Sequence, residues 1–208
     1  MTELRVDDPG DAIATIALAH GAGAGMDHEW MATIAAALAA RRLRVVRFEF
    51  PYMSARREGR RPGPDRMPRL LACFRAVADA QPRPLLLGGK SMGGRVATML
   101  ADEVDCLGAV AFGYPFHPPG KPERLRTAHL EDARKPVLIL QGERDPFGDP
   151  ADVAGYALAT AVDVRWLEDG DHSLQPRKRS GRTLRDNLER AADDVAAFAR
   201  GQLQASGR

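Results

Sequence analysis

Short apolar runs alternate along the chain with segments whose apolar residues recur at helical spacing. The runs predict buried strands, which lie at residues 13–19, 43–50, 85–87, 107–112, 136–140 and 162–167. Between them, residues such as Trp30, Ile34 and Leu38 repeat every fourth position, as in amphipathic helices. Because strand and helix alternate, the pattern predicts an α/β fold. We expect a mostly parallel, doubly wound sheet of about six strands with helices on both faces.

Local signals refine this pattern between the strands. We expect a first helix from about residue 28 with Asp27 as its N-cap, and further helices over residues 70–80, 151–160 and 184–198. Residues 52–68 are rich in Arg, Gly and Pro, which predicts a surface loop.

The length of the chain is suited to one domain. At 208 residues it is long enough to bury a continuous core without disulfide or metal support, and we expect a single domain over residues 1–208. The formal net charge of +2 gives no indication of a nucleic-acid partner. Monomer and homodimer both remain open as oligomeric states.

The cysteines and the N-terminal residues bear on the cellular compartment. Cys73 lies in an apolar helical pattern and Cys106 opens an apolar strand, so we expect buried thiols rather than a disulfide or metal ligands. This expectation favours a reducing cytoplasm. Residues 1–11 carry acidic side chains, and the apolar run that follows is far shorter than the ~20 residues that span a membrane. We therefore expect neither a signal peptide nor a membrane anchor.

One stretch interrupts the pattern with glycines around a single serine. Three leucines are followed by GGKSMGGR over residues 88–95, and helical spacing then resumes. Residues 89–93 fit the G-x-S-x-G pattern of a nucleophile elbow, a sharp strand-to-helix turn that presents a serine hydroxyl above the sheet edge. Glycines are needed there because the strand and helix backbones nearly touch. Ser91 is therefore the candidate nucleophile.

Other interpretations of the glycine-rich stretches make different demands. A P-loop would need glycine at position 84, where this chain has Pro84. A dinucleotide-binding fingerprint would need a third glycine at Met26, although Glu49 lies where a ribose ligand is expected. We therefore expect no cofactor and no metal. A glycine-rich turn with an inactive serine stays possible unless partners for Ser91 are present.

A serine hydroxyl becomes nucleophilic when a base removes its proton, and that base needs an anion to orient it. Asp145 and His172 each follow a predicted strand C-terminal to Ser91, which gives the chain order expected with a nucleophile elbow. Right-handed crossovers bring these strand ends to one edge of the sheet. Glu143 is an alternative acid, but Pro146 favours an extended backbone at Asp145. We predict Ser91, Asp145 and His172 as a catalytic triad.

An oxyanion intermediate would require two backbone N–H donors. Met92, directly after the candidate nucleophile, is expected to supply the first. The glycine loop at residues 20–25 follows an earlier strand, and Ala22 is our choice for the second donor, with Gly21 next to it. A merely flexible connection is the other interpretation of this loop.

Taken together, these segments resemble the α/β-hydrolase superfamily over nearly the whole chain. In particular, the chain resembles the small, lid-less family related to dienelactone hydrolases, whose domain also occurs in a subunit of a eukaryotic histone acetyltransferase complex. The motifs that carry this narrower resemblance are residues 20–25, 89–95, 113–121, 141–148 and 170–173. The resemblance implies a minimal α/β-hydrolase fold without a lid domain and the same Ser-Asp-His triad. The leading antiparallel hairpin of larger hydrolases is expected to be missing or reduced to residues 4–6.

Two functions are compatible with this resemblance. The first is hydrolysis of an ester, thioester or related acyl bond through a Ser91 acyl-enzyme. The second is a binding or scaffold module that keeps the fold without catalysis. Retention of nucleophile, acid, base and oxyanion glycines together favours the enzyme. Dienelactone hydrolases proper use a cysteine nucleophile, so their substrate is not transferred to this chain.

No segment is long and apolar enough to form a lid, so residues 52–66 and 114–130 are predicted to wall the substrate pocket. The expected binding residues for a small acyl substrate are Lys90, Tyr114, Phe116, His117, Arg60 and Arg61. Arginines of the two walls would clamp a carboxylate or phosphate of an anionic substrate. Alternatively, they belong to solvated loops and only keep the surface soluble.

Overall fold

The computed structural model describes residues 3–207, so Met1, Thr2 and Arg208 of the predicted domain lie outside the described residues. Seven strands are present: β1 (Leu4–Asp7), β2 (Ala14–Ala19), β3 (Leu43–Phe48), β4 (Leu85–Lys90), β5 (Gly108–Phe112), β6 (Val137–Gly142) and β7 (Val162–Leu167). They form one sheet in the order β1-β3-β2-β4-β5-β6-β7. Every neighbouring pair is parallel except β1 with β3. The predicted fold class is confirmed, with seven strands in place of about six.

Seven α-helices connect or follow the strands: α1 (Glu29–Ala39), α2 (Pro51–Arg57), α3 (Met67–Asp79), α4 (Met92–Leu100), α5 (Ala128–Glu131), α6 (Pro150–Val153) and α7 (Leu184–Ser206). Short 3₁₀ turns occupy Ala101–Glu103 and Lys178–Ser180. Across residues 3–207, we find no helix with the length and apolar character needed to cross a membrane.

The added strand is β1, which pairs antiparallel with β3 in the register Leu4↔Phe48. The sequence predicted that the leading hairpin would be missing or reduced to residues 4–6, and β1 is one residue longer than that remnant. Leu4 and Val6 are exposed on this edge strand, so its side chains contribute little to the core. Four residues suffice here because β3 is already anchored by β2 on its other side.

Both faces of the sheet are covered, as the continuous apolar runs predict. Along β2, Ile16 and Leu18 face the core formed with α1 and α7. The alternate residues Ala17 and Ala19 face a second core, which contains apolar side chains from α2, α3 and α4. Strand β2 is therefore buried on both sides.

The predicted loop over residues 52–68 is wrong at both ends, because α2 begins at Pro51 and α3 begins at Met67. Proline is favoured at the first position of a helix because its backbone angle is already helical. Tyr52 and Met53 are then buried against the second core, although arginines follow at once. The local density of Arg, Gly and Pro hid these apolar residues from the sequence pattern.

Two helix boundaries also differ from expectation. The N-cap of α1 is His28, whose Nδ1 accepts a hydrogen bond from the Trp30 N–H at 3.2 Å, rather than Asp27. The helix expected over residues 151–160 shortens to α6, which Asp149 caps. Among the cysteines, Cys106 is buried as predicted, whereas Cys73 is half-buried.

The chain order reverses direction between β3 and β4, which lie on opposite sides of β2. A crevice forms outside the carboxyl ends of strands at such a reversal, and ligands bind there in open α/β sheets. The glycine loop follows β2 and Ser91 follows β4, so both lie at this crevice.

Candidate active site

Ser91 occupies a strained turn between β4 and α4. Its φ of 50° and ψ of −114° lie in a region that non-glycine residues rarely adopt. A Cβ at Gly89 would overlap the Gly93 backbone, and a Cβ at Gly93 would lie 2.5 Å from the His20 carbonyl oxygen. The two glycines therefore permit the close crossing that gives the turn its shape, as a nucleophile elbow requires.

The Ser91 hydroxyl lies against His172, which follows β7. Ser91 Oγ and His172 Nε2 are 2.8 Å apart. The other ring nitrogen, Nδ1, lies 2.8 Å from Asp145 Oδ2. The Phe147 ring stacks on the imidazole with a centroid distance of 4.1 Å, which fixes the ring plane. The structure thus brings the three predicted triad residues into one hydrogen-bonded chain.

The Asp145 carboxylate is only 1% exposed and has hydrogen bonds on both oxygens. The Phe147 N–H donates to Oδ1 at 2.9 Å, and the Gln141 Nε2 amide donates to Oδ2 at 2.9 Å. The alternative acid, Glu143, instead accepts the Asp169 N–H at 2.9 Å. Asp145, and not Glu143, therefore orients His172.

The hydrogen bonds assign the His172 tautomer. An ionised carboxylate only accepts hydrogen bonds, so Nδ1 carries the proton that faces Asp145. Nε2 is then free to accept the proton of the Ser91 hydroxyl. This is the arrangement that a general base needs before it activates a serine.

The glycine loop adjoins the candidate nucleophile from the β2 side. A carbon attached to Gly21 in the Cβ position would lie 3.7 Å from Ser91 Cβ. Met92 is the first residue of α4, and the first N–H groups of a helix have no partner within it. The backbones of Gly21, Ala22 and Met92 therefore flank Ser91 on two sides.

Sequence reasoning missed the side chains that brace this loop. His20 Nε2 accepts the Phe50 N–H at 3.1 Å, so Nδ1 must carry the proton that it shares with the Gly21 carbonyl at 2.6 Å. Burial lowers the pKa of His20, which keeps the ring neutral in this bridging role. The only sequence signal was the position of His20 directly before the glycines.

Tyr52 and Glu49 support the loop from α2 and from the end of β3. The Tyr52 hydroxyl lies 3.1 Å from the Ala22 carbonyl, and burial raises the pKa of Tyr52 to about 12, so it stays a donor. Glu49, at the position of a ribose ligand in a dinucleotide fingerprint, accepts the Met26 N–H at 3.2 Å and pairs with Arg57 at 2.8 Å. These residues have structural partners and do not face a nucleotide.

A cavity of about 500 Å³ opens beside Ser91 on the α1 side of the sheet edge. Its walls come from residues 21–24, the start of α1, residues 172–175 and Leu184. Trp30 links two of these walls, since its indole N–H donates to the Ser173 carbonyl at 2.8 Å. Most of the lining is apolar, with a few polar groups near the hydroxyl, which is typical of small-molecule sites.

Lys90 is the predicted binding residue that lines this cavity. Its ammonium donates to the His172 carbonyl oxygen at 3.1 Å and lies 4.9 Å from the centre of the Trp30 ring. Burial lowers the pKa of Lys90 to about 8, and the nearby Asp145 and Asp171 charges oppose that shift. The cavity therefore holds a cation that titrates within a few units of neutral pH.

The predicted pocket walls at residues 52–66 and 114–130 do not line this cavity. Tyr114 and Phe116 are fully buried, and their rings pack against each other in a tilted arrangement with centroids 4.7 Å apart. His117 is 3% exposed and contacts Asp152 at 3.2 Å. The substrate contact predicted for these three residues has no support in this geometry, because all three are buried and none lines the cavity.

The arginines of the predicted walls have mixed environments. Arg60 is exposed and pairs with the neighbouring Glu58, and Arg61 is exposed. Arg56 lies over the Tyr52 ring at 5.2 Å and donates to the Pro62 carbonyl at 2.9 Å. Neither Arg60 nor Arg61 lines the cavity, so contact with a substrate held there is a prediction without structural support.

The described part of the chain, residues 3–207, contains no cluster of three or more His, Cys, Asp or Glu side chains arranged to hold a metal ion.

Comparisons with known proteins identify the family of this fold. A family model described as an alpha/beta hydrolase domain matches residues 12–200. The chain therefore belongs to the α/β hydrolase family. The search of curated proteins found no match to the sequence.

Solved structures show the same fold at low sequence identity. The esterase domain of a Rhodothermus marinus protein is similar with a TM-score of 0.69 and 19% identity, covering 95% of this chain and 91% of that one. A dienelactone hydrolase from Anabaena variabilis has a TM-score of 0.70 and 17% identity, covering 95% and 90%. A Xanthomonas campestris protein described as an α/β serine hydrolase without a lid has a TM-score of 0.61 and 20% identity, covering 93% and 89%.

Proposed function

We propose that the protein is a serine hydrolase that cleaves an ester, thioester or related acyl bond through a Ser91 acyl-enzyme. The observation that carries the proposal is the hydrogen-bonded chain Asp145–His172–Ser91, with 2.8 Å at both contacts to the imidazole. A protein that acts only as a scaffold would not need a buried Asp145 carboxylate, a fixed His172 tautomer and a strained Ser91 in contact with one another.

In the first half of the reaction, Ser91 Oγ attacks the carbonyl carbon while its proton moves to His172 Nε2. The carbonyl oxygen becomes an oxyanion, which the N–H groups of Met92 and of Ala22 or Gly21 stabilise. His172 then gives its proton to the leaving oxygen or sulfur as the bond to it breaks. Asp145 stabilises the imidazolium that exists between these two transfers.

In the second half, water attacks the acyl carbon and His172 takes its proton. The new oxyanion collapses, the acid leaves, and the proton returns to Ser91 Oγ. The positions of His20 and Tyr52 support this role for the glycine loop, because both bind its carbonyl groups and neither accepts a hydrogen bond from its N–H groups.

The cavity suggests which part of a substrate is bound. Trp30, Met31 and Leu184 offer apolar contact, so we infer an acyl or alcohol group with an apolar body. Lys90 is the cation beside it and would bind a polar or anionic end of that group. A cytoplasmic location and a monomeric or homodimeric state stay predictions from the sequence.

Labelling with a fluorophosphonate tests the proposal directly. The reagent forms a bond between phosphorus and an activated serine oxygen, with loss of fluoride. We expect labelling of the wild type and of Ser173→Ala, which removes another serine of the cavity wall, but none of Ser91→Ala. An unlabelled wild type, beside a control hydrolase that is labelled, would favour the scaffold function.

A further inference from the structure

A second group of polar side chains lies on the other side of the sheet from the cavity. It is formed by Arg95 and Thr98 of α4, by Tyr114, and by Arg126 and His129 around the start of α5. The Tyr114 hydroxyl donates to the Arg126 carbonyl at 2.8 Å, and His129 Nε2 lies 2.9 Å from Thr98 Oγ1. We call this group the arginine cluster. None of its members lines the cavity beside Ser91.

The arginine cluster has positive charge without a counterion. Within residues 3–207, neither Arg95 nor Arg126 forms an ion pair with a carboxylate. By contrast, the half-buried Arg41 pairs with Asp193 and the buried Arg47 pairs with Asp7. The Nε atom of Arg95 is buried and has no hydrogen-bond partner. A buried donor without a partner is costly, and structures rarely leave one unexplained.

The electrostatics of the neighbours agree with this picture. Burial and the Arg95 charge lower the pKa of Arg126. The same two causes lower the pKa of His129 to about 4, so that ring is neutral at pH 7. The two guanidinium groups therefore repel each other, and the cluster contains no carboxylate to pair with either of them.

We propose that Arg95 and Arg126 form a binding site for an oxyanion, which is either a carboxylate or a phosphate group. Guanidinium groups bind such oxygens in pairs of parallel hydrogen bonds, and two of them around one anion cancel their repulsion. The buried Arg95 Nε supplies a donor for the anion. The evidence for this site does not depend on the Ser91 chemistry proposed above.

Inorganic phosphate is the probe for this site. Its binding is measured by calorimetry and by the unfolding temperature, with chloride at equal ionic strength as the reference. We expect saturable binding and stabilisation of the wild type. Arg126→Gln should weaken the phosphate Kd by about 10- to 100-fold, because a charge-assisted pair of bonds is lost. Arg126→Lys should lie between the two, since it keeps the charge without the fork.

Arg124→Gln is the matched control. It removes one positive charge from the same segment, but Arg124 is exposed and pairs with Glu123 at 3.7 Å. It should bind phosphate as the wild type does. Phosphate binding that is absent from the wild type, or equal in Arg124→Gln and Arg126→Gln, would show that the proposal is wrong. In phosphate-free buffer Arg126→Gln should unfold no earlier than the wild type, because it relieves repulsion.

Activity measurements then separate two sources of the oxyanion. If the anion is part of a substrate, phosphate should inhibit hydrolysis of a carboxylate-bearing ester competitively and leave an uncharged ester unaffected. If the anion is a separate ligand, phosphate should bind without competing with either ester. Both results require the site at Arg95 and Arg126. In the first case Arg126→Gln should weaken the inhibition by phosphate, and in the second it should weaken the binding of phosphate.

Discussion

The glycine loop at residues 20–25 and the proline-rich segment at residues 114–130 both lie at the edge of the sheet where the parallel strands end. The glycine loop carries small side chains and leaves a cavity between itself, α1 and His172. The proline-rich segment begins with Tyr114 and Phe116, which are buried in the core and do not line that cavity. Position at the sheet edge therefore does not decide whether a segment contacts substrate. The size and burial of its side chains decide it.

The proline-rich segment nevertheless affects the site from behind. The Tyr114 carbonyl accepts the Gln141 amide at 3.1 Å, and Gln141 also holds Asp145. Phe116 packs against Gly148, where a Cβ would lie 2.7 Å from the Phe116 ring. The segment thus supports the loop that carries Asp145, whereas the glycine loop adjoins Ser91.

The largest expected effect is on kcat, and it distinguishes two histidines at this edge that each contact an aspartate. His172→Ala removes the base of Ser91 and should lower kcat by about 10⁶-fold. His117→Ala removes a buried contact to Asp152 in the proline-rich region and should leave kcat within a few-fold of the wild type. Steady-state hydrolysis of an activated ester measures both. Comparable losses of kcat in the two variants would contradict the division of roles.

The next effect separates stability from substrate contact. Phe116→Ala should lower the free energy of unfolding by about 3–5 kcal/mol, because it leaves a cavity in a fully buried aromatic cluster. The KM of its folded fraction should not change, since Phe116 does not line the cavity. Denaturant unfolding and ester kinetics are the measurements. An increased KM with unchanged stability would mean that Phe116 faces substrate after all.

The smallest effect concerns Lys90, whose pKa burial lowers from 10.5 to about 8. Between these pH values the unfolded chain keeps a proton that the folded chain has released. The unfolded state therefore binds more protons, and the stability of the wild type should rise with pH across this window. Lys90→Met should lack this contribution. The stability of the variant relative to the wild type should therefore be higher at pH 7 than at pH 10.5. Denaturant unfolding at several pH values measures the difference.

For Lys90, Lys135→Met is the matched control, since Lys135 is also half-buried and its ammonium donates to a backbone carbonyl, that of Cys106, at 2.9 Å. It lies far from Ser91 in sequence and outside the cavity. The rise in stability should persist in Lys135→Met. Its persistence in Lys90→Met would assign it to another group.

Local sequence determined the strands, most of the helices and the candidate nucleophile. Apolar runs and helical spacing indicate which residues are buried. Gly89 and Gly93 are required because a Cβ at either position would overlap the neighbouring backbone at the turn. The chain order of Ser91, Asp145 and His172 followed from the rule that parallel strands end at one edge. These inferences depend on periodicity, handedness and steric demands that act within a few residues.

Only the tertiary structure decided which face of the sheet edge is open. The support of Asp145 by Gln141 and of Ala22 by Tyr52 joins residues that have no shared local pattern. The meeting of Arg95 with Arg126 depends in the same way on how α4 packs beside the segment before α5. Such contacts arise from packing between distant segments, and that packing depends on side-chain volumes across the whole core rather than on any short stretch of sequence.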